Sequence, residues 1–226
     1  PENLNNLIEP FAGSAAITIA SAYYFKANSF IVNDINEPLI NLWDAIIHNP
    51  KLIIKSYHDI WHGQHGNEEE YYYQIRDRFN DTKQLEYLWF LLAKCVKAAV
   101  RYNAQGSFNQ SPDKRRLGRN PSSMRDDILR VSQLLKGKTQ LHSEDYKHVL
   151  DLATSNDLVY FVNFQKITSC YVKYNIIKYF ILGVKLVYYT GWFKKYLILY
   201  IYKYMTLIFK YITLILKIET NQKLTN

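Results

Sequence analysis

Two features near the start of the chain have the residue types that a nucleotide site needs. Ala12-Gly13-Ser14-Ala15-Ala16 is a run of small residues, and such a run lets backbone approach a ligand closely. Asp34 stands just after the apolar run Phe30-Ile31-Val32, an acid at the end of a second buried segment. A third feature lies further on: Lys114, Arg115, Arg116 and Arg119 crowd into six positions of a segment broken by Asn, Gly, Ser and Pro. Guanidinium groups there suit phosphate, which they hold with two parallel hydrogen bonds. Asn103, Gln105 and Asn109 beside them have the amides that read base edges. An ordinary solvated loop is the plainer reading of the same segment. His58, His62 and His65 share a helical spacing, but Gly63 and Gly66 interrupt it and no supporting acid is evident, so no metal is expected. Cys95 sits among apolar residues without a histidine partner and reads as a buried thiol.

The elements that must position these groups follow from periodicity. Leu7 to Phe11 reads as a short buried strand and Ile17 to Phe25 as a helix. Phe30 to Val32 is a second strand. Pro38 suits the first turn of a helix whose Leu39, Leu42, Trp43 and Ile46 share one face. Strand, small-residue turn, helix, strand, acid is the opening of a nucleotide-binding α/β unit. Helices are expected over 69–79, 84–100 and 124–135, with a helix start at His142-Ser143-Glu144-Asp145 and a buried strand over Asp157 to Phe161.

Charge and composition divide the chain near residue 161. Its net charge of +8 would ordinarily point to a nucleic-acid partner. Residues 1–161, however, hold 18 Lys+Arg against 19 Asp+Glu, whereas residues 162–226 hold 10 Lys and the single acid Glu219. The body is therefore balanced, and any affinity for DNA must come from local patches. All six prolines precede residue 122, and the tail has no Arg and 10 of the 20 tyrosines. A tail dominated by Ile, Tyr, Lys, Leu, Asn and Phe is what out-of-frame reading of AT-rich DNA would produce. The rival reading is a membrane-surface-associated protein built around the apolar stretch Tyr196 to Leu216, with Lys203, Lys210 and Lys217 in one stripe. Two cysteines are too few for a disulfide framework and no secretory signal opens the sequence, so a cytoplasmic setting is expected.

The ordered motifs resemble the Dam-like family of site-specific DNA adenine-N6 methyltransferases. Glu9-Pro10-Phe11-Ala12-Gly13-Ser14 is similar to the family's first cofactor motif, and Asn33-Asp34-Ile35-Asn36 with Leu39-Ile40-Asn41-Leu42 to its acidic strand end. Arg101-Tyr102-Asn103, Gly106-Ser107-Phe108-Asn109 and Ser111 to Gly118 resemble the approach to the target-recognition region in restriction-modification enzymes. The resemblance runs from about residue 5 to 161. It implies an α/β, incomplete Rossmann-like domain that binds S-adenosylmethionine, with a helical target-recognition insertion and double-stranded DNA as partner. It gives Phe11, Gly13, Ser14 and Asp34 to the cofactor, Asp34 accepting from the ribose hydroxyls, and Asn103, Lys114, Arg115, Arg116 and Arg119 to DNA. The expected division is 1–101 for the cofactor part, 102–150 for recognition, 151–161 for the strand before the catalytic motif, and 162–226 for the aberrant tail. Where the family often has a second glycine the chain has Ala15, a departure that matters if the position needs a positive φ.

One expected part is missing. The amine of adenine is a poor nucleophile, because its lone pair is delocalised into the ring. The family meets this with an Asp-Pro-Pro-Tyr tetrad that accepts from the amine and stacks on the flipped base. Directly after Leu158-Val159-Tyr160-Phe161 the chain has Val162-Asn163-Phe164-Gln165 instead. The sequence starts at Pro1 without the family's Gly-Gly-Lys segment, so an upstream piece is expected to have been lost. The expected enzyme is thus inactive as written.

Overall fold

The computed structural model describes residues 4–162 and 185–189. Along this part of the chain run β1 (Leu4–Glu9), α1 (Ala16–Tyr23), β2 (Ala27–Asn33), α2 (Glu37–His48), α3 (Pro50–His62), α4 (Glu68–Thr82), α5 (Leu85–Lys94), α6 (Pro121–Leu135), β3 (Thr139–His142), α7 (Tyr146–Leu150), β4 (Leu158–Val162) and β5 (Lys185–Tyr189). All strand pairs are parallel, in the order β3-β2-β1-β4-β5. The fold is α/β with a Rossmann-like parallel sheet. From β1 the chain steps outward to β2 and β3 on one side, then returns to β4 on the other. The switch point falls between β1 and β4, and ligands of such sheets lie beyond the carboxyl ends of the strands there.

Alternation along the strands sorts the core into two layers. Leu7, Phe30, Val32 and Tyr160 face the larger cluster, with Leu42, Ile46, Tyr57, Phe79, Phe90 and Ile128 from the helices between β2 and β3. Ile8, Ile31 and Val159 face the other way onto Val149 and Leu150 of α7 and its C-terminal turn.

The helices mostly follow the expected pattern, with three differences. The helix α3 runs through His58 and His62 and ends at Gly63, because Pro50 opens it and Ile53 and Tyr57 bury one face. The expected helix over 84–100 stops at Lys94. Cys95 is extended there, and Lys97 and Ala98 take positive φ values of 61° and 47°. The segment before the expected helix start at residue 142 is the edge strand β3, hydrogen-bonded to β2, and Asp145 then caps α7 by accepting from the Lys147 amide. Residues 139–150, at the end of the expected recognition region, belong to the sheet and its cover, and α3 to α5 with the loop to Asn120 lie between α2 and α6. The strand β5 lies within the expected aberrant tail and extends the sheet past β4. Residues 163–165 and the Tyr196 to Leu216 stretch lie outside the described residues. Among the described residues no helix is long and apolar enough to cross a membrane.

One buried acid joins the two sides of the switch point. Asp157 is fully buried. One carboxylate oxygen accepts from the backbone and side-chain N–H of Asn6 at 2.9 and 2.8 Å, the other from the amide and hydroxyl of Thr154 at 2.8 and 2.9 Å. Removing it takes the acceptor from the half-buried Asn6 and from Thr154, beside the two central strands. Asp157→Ala should destabilise the fold by about 2–4 kcal/mol. The urea midpoint reports this, and an unchanged midpoint contradicts the assignment.

Candidate functional site

The small-residue turn and the acid meet. Leaving β1, the chain turns tightly: the Ala15 amide donates to the Ala12 carbonyl at 2.8 Å, and the Ala12 amide to the Asn33 carbonyl at 2.8 Å. Asp34, following β2, accepts from the Gly13 amide at 3.0 Å with one oxygen and from the Asn36 amide at 3.0 Å with the other. Trp43 of α2 closes the turn from beneath, its indole N–H donating to the Gly13 carbonyl at 2.9 Å. Gly13 takes a φ of +52°, which suits glycine. Ala15 takes +47°, so the position does need a positive φ, and alanine there carries strain of about 1–2 kcal/mol.

Beneath the turn, Glu9 caps α1 from a distance. Ala15 offers no side-chain cap, and buried Glu9 accepts instead from the Thr18 amide at 3.0 Å and hydroxyl at 2.7 Å. A carboxylate at a helix N-terminus is favourable, yet burial pushes the Glu9 carboxyl above its ordinary 4.5, against the lowering effect of the Thr18 hydrogen bonds. A raised folded-state value means that protonation favours the folded chain. Stability from this group is therefore full below pH 4.5 and lost as pH rises through the folded value. Glu9→Gln cannot titrate, so its stability relative to the parent should climb over that window. Parallel melting-temperature curves from pH 4 to 8 would refute this.

Around the turn lie groups that sequence reading did not single out. Asn33 donates to the carbonyls of Pro10 and Glu144 at 2.9 and 3.1 Å and accepts from the Glu144 amide at 3.0 Å, locking the loop after β3 beside β2. This brings His142 and Ser143 to the same edge as Asp34. His142 Nε2, Ser143 Oγ and Asn36 Nδ2 are buried without a hydrogen-bond partner among the described residues. Buried polar atoms of this kind call for a ligand or water. Phe11 is half-buried, its ring 5.2 Å from that of Tyr146 against the smaller core cluster, and Ser14 is exposed on the turn. The strand β4 pairs with β1, and its described part ends at Val162.

The segment expected to carry recognition is a hairpin-like loop. Tyr102 and Phe108 form an antiparallel bridge. Asn103 Oδ1 accepts from the amides of Gln105 and Ser107 at 3.0 and 2.9 Å, which occupies that oxygen with its own turn. Asn80 of α4 grips Phe108 through both backbone groups, and Tyr72 donates to the Gln110 carbonyl. Tyr102 reaches Asn36 Oδ1 at 3.1 Å, tying this loop to the turn after Asp34. Its phenol is pushed up chiefly by burial.

The basic cluster is paired internally. Arg115 grips Asp113 with two bonds of 3.0 Å and, as the main cause, holds its carboxyl down to about 2. Arg116 reaches Asp113 at 3.3 Å and the Cys95 carbonyl at 2.9 Å, Lys114 pairs with Glu69 at 2.8 Å, and Arg119 with Asp127. These cations shape their own loop as well as charging it. Lys114 and Arg115 remain largely exposed, at 70 and 88% of their side-chain surface, and stay available to an anion. The His58 and His62 rings lie tilted with centroids 4.3 Å apart, and those of His62 and His65 5.8 Å apart. Among the described residues no group of three His, Cys, Asp or Glu could hold a metal ion.

Comparison with known proteins gives the family of the chain. Residues 1–161 match the family described as D12 class N6 adenine-specific DNA methyltransferase. The Retron Ec67 DNA adenine methylase of Escherichia coli is 35% identical over 109 residues, which are 46% of this chain and 36% of that protein. The Type II methyltransferase M.MjaIII of Methanocaldococcus jannaschii is 25% identical over 171 residues, 70% of this chain and 58% of its own. The DNA adenine methylase of Haemophilus influenzae is 32% identical over 113 residues, 48% of this chain and 38% of its own. The chain thus spans between 36 and 58% of the length of these relatives.

Proposed function

The chain belongs to the D12 class of N6 adenine-specific DNA methyltransferases, and we propose that it carries that family's S-adenosylmethionine site and part of its DNA-recognition surface without the power to transfer a methyl group. The observation that carries the cofactor reading is the Asp34 carboxylate clamping the Gly13 amide at the switch point. In this reading each Asp34 oxygen keeps a lone pair for a ribose hydroxyl, Gly13 and Ser14 give the donor close backbone approach, and Phe11 walls the site. The orphaned atoms of His142, Ser143 and Asn36 fit the polar edge of the nucleoside base. When bound, the cofactor supplies an electrophilic methyl group.

Double-stranded DNA is the proposed partner, in the cytoplasm. Asn103 and its neighbours approach base edges, and Lys114, Arg115, Arg116 and Arg119 approach phosphates; α3 to α5 with the loop to Asn120 form the recognition part. The test is calorimetric titration with S-adenosylmethionine. Saturable heat supports the reading, and no heat from the folded chain removes it.

A further inference from the structure

The insertion contains a buried lysine that the cofactor and recognition readings leave unused. Lys94 ends α5 with only 2% of its surface exposed. Its ammonium donates to Gln64 Oε1 at 2.6 Å and to the Glu68 carbonyl at 3.0 Å. Gln64, itself fully buried, passes its amide to the carbonyls of Trp61 and Leu117 at 2.9 and 3.1 Å. A Lys ammonium has three donors, so one is left over. Lys94 also lines a cavity of about 210 Å³, together with Lys114, Arg116, Pro112, Glu68 and Glu69.

We propose that this cavity is an oxyanion seat that takes one phosphate group, with Lys94 as its floor and Lys114 and Arg116 as its rim. The acids on its wall are already engaged. Glu68 turns its carboxylate to the Gly66 amide at 3.3 Å, and Glu69 holds Lys114 in an exposed pair at 2.8 Å. Exposed pairs are worth at most about 1 kcal/mol, so an incoming phosphate displaces Glu69. Arg116 spends two of its five donors on Asp113 and Cys95 and keeps the rest. The neighbouring phosphodiester of a DNA strand and free inorganic phosphate share this chemistry. The DNA source rests on the function proposed above; the seat itself does not.

The probe for the seat is inorganic phosphate, titrated into the full chain at constant ionic strength with unfolding temperature as readout. Phosphate should stabilise the parent, and its affinity should fall roughly tenfold in Lys94→Met and Lys114→Gln and rise in Glu69→Gln. Lys114 is exposed, so its variant tests the seat even if Lys94→Met does not fold. For duplex DNA, Lys114→Gln should lower the slope of log affinity against log salt by about one. Equal phosphate stabilisation of all variants, or none in the parent, overturns the seat. Phosphate binding that responds to these variants while DNA does not bind leaves the seat standing and identifies free phosphate as its ligand.

Discussion

Asp34→Ala should abolish measurable binding of S-adenosylmethionine, with a loss of at least about a hundredfold. Two hydrogen bonds from ribose to a charged acceptor contribute roughly 1.5–3 kcal/mol each, which converts to that loss or more. The variant also releases the turn, because the Gly13 and Asn36 amides lose their acceptor. The sharper test is Asp34→Asn, which matches the carboxylate in shape. Both Asp34 oxygens accept from backbone N–H groups, so an amide must set its own NH2 against one of them. The asparagine variant should therefore bind almost as poorly as the alanine one. Asparagine affinity within a few-fold of the parent would show that the Asp34 charge has no part in holding the donor.

The second large effect is an absence of turnover. With labelled S-adenosylmethionine and mixed-sequence duplex DNA, the chain should transfer no methyl groups above the enzyme-free control, a deficit of about 10⁴-fold or more. Removing one charge-stabilising group from an active site typically costs 10²–10³-fold, and on the proposed reading Val162-Asn163-Phe164-Gln165 stands where the amine's acidic acceptor, the proline-set carbonyl and the stacking tyrosine would be. Losses within one catalytic unit are not additive, so the bound is set below their product. Measuring cofactor binding on the same sample separates an inactive site from an unfolded chain. Incorporated label that scales with protein would refute the proposal.

Much of this site was legible before the fold was known, and the reasons are local. The turn at Gly13 and the acid at Asp34 announce themselves through residue type, because few sequences place small residues and then a lone acid after two short apolar runs. Strands buried on both faces leave equally plain runs, as Phe30-Ile31-Val32 does. What escaped depends on distant partners. The edge strand β3 is only Thr-Gln-Leu-His, three of its four residues polar and without alternation, and takes its identity from pairing with β2. The helix α3 was obscured by the glycines that end it. His142 and Ser143 gain their role only because Asn33 draws the loop after β3 beside Asp34, across more than a hundred residues of sequence. The basic run of the loop was legible as charge, but its internal pairing with Asp113, Glu69 and Asp127 was not.

The hydrogen bond from Tyr102 to Asn36 makes one side chain a shared tenant of two neighbours. On one side Asn36 borders the clamp that Asp34 makes on the turn; on the other it anchors the loop that carries Asn103. If a methyl donor fixes Asn36 and a duplex engages the loop, each should change the affinity for the other by the same factor, since linkage between two binding events is reciprocal. On the proposed reading, in which the chain holds both a methyl donor and a duplex, Asn36 is the point at which one guest prepares the house for the other.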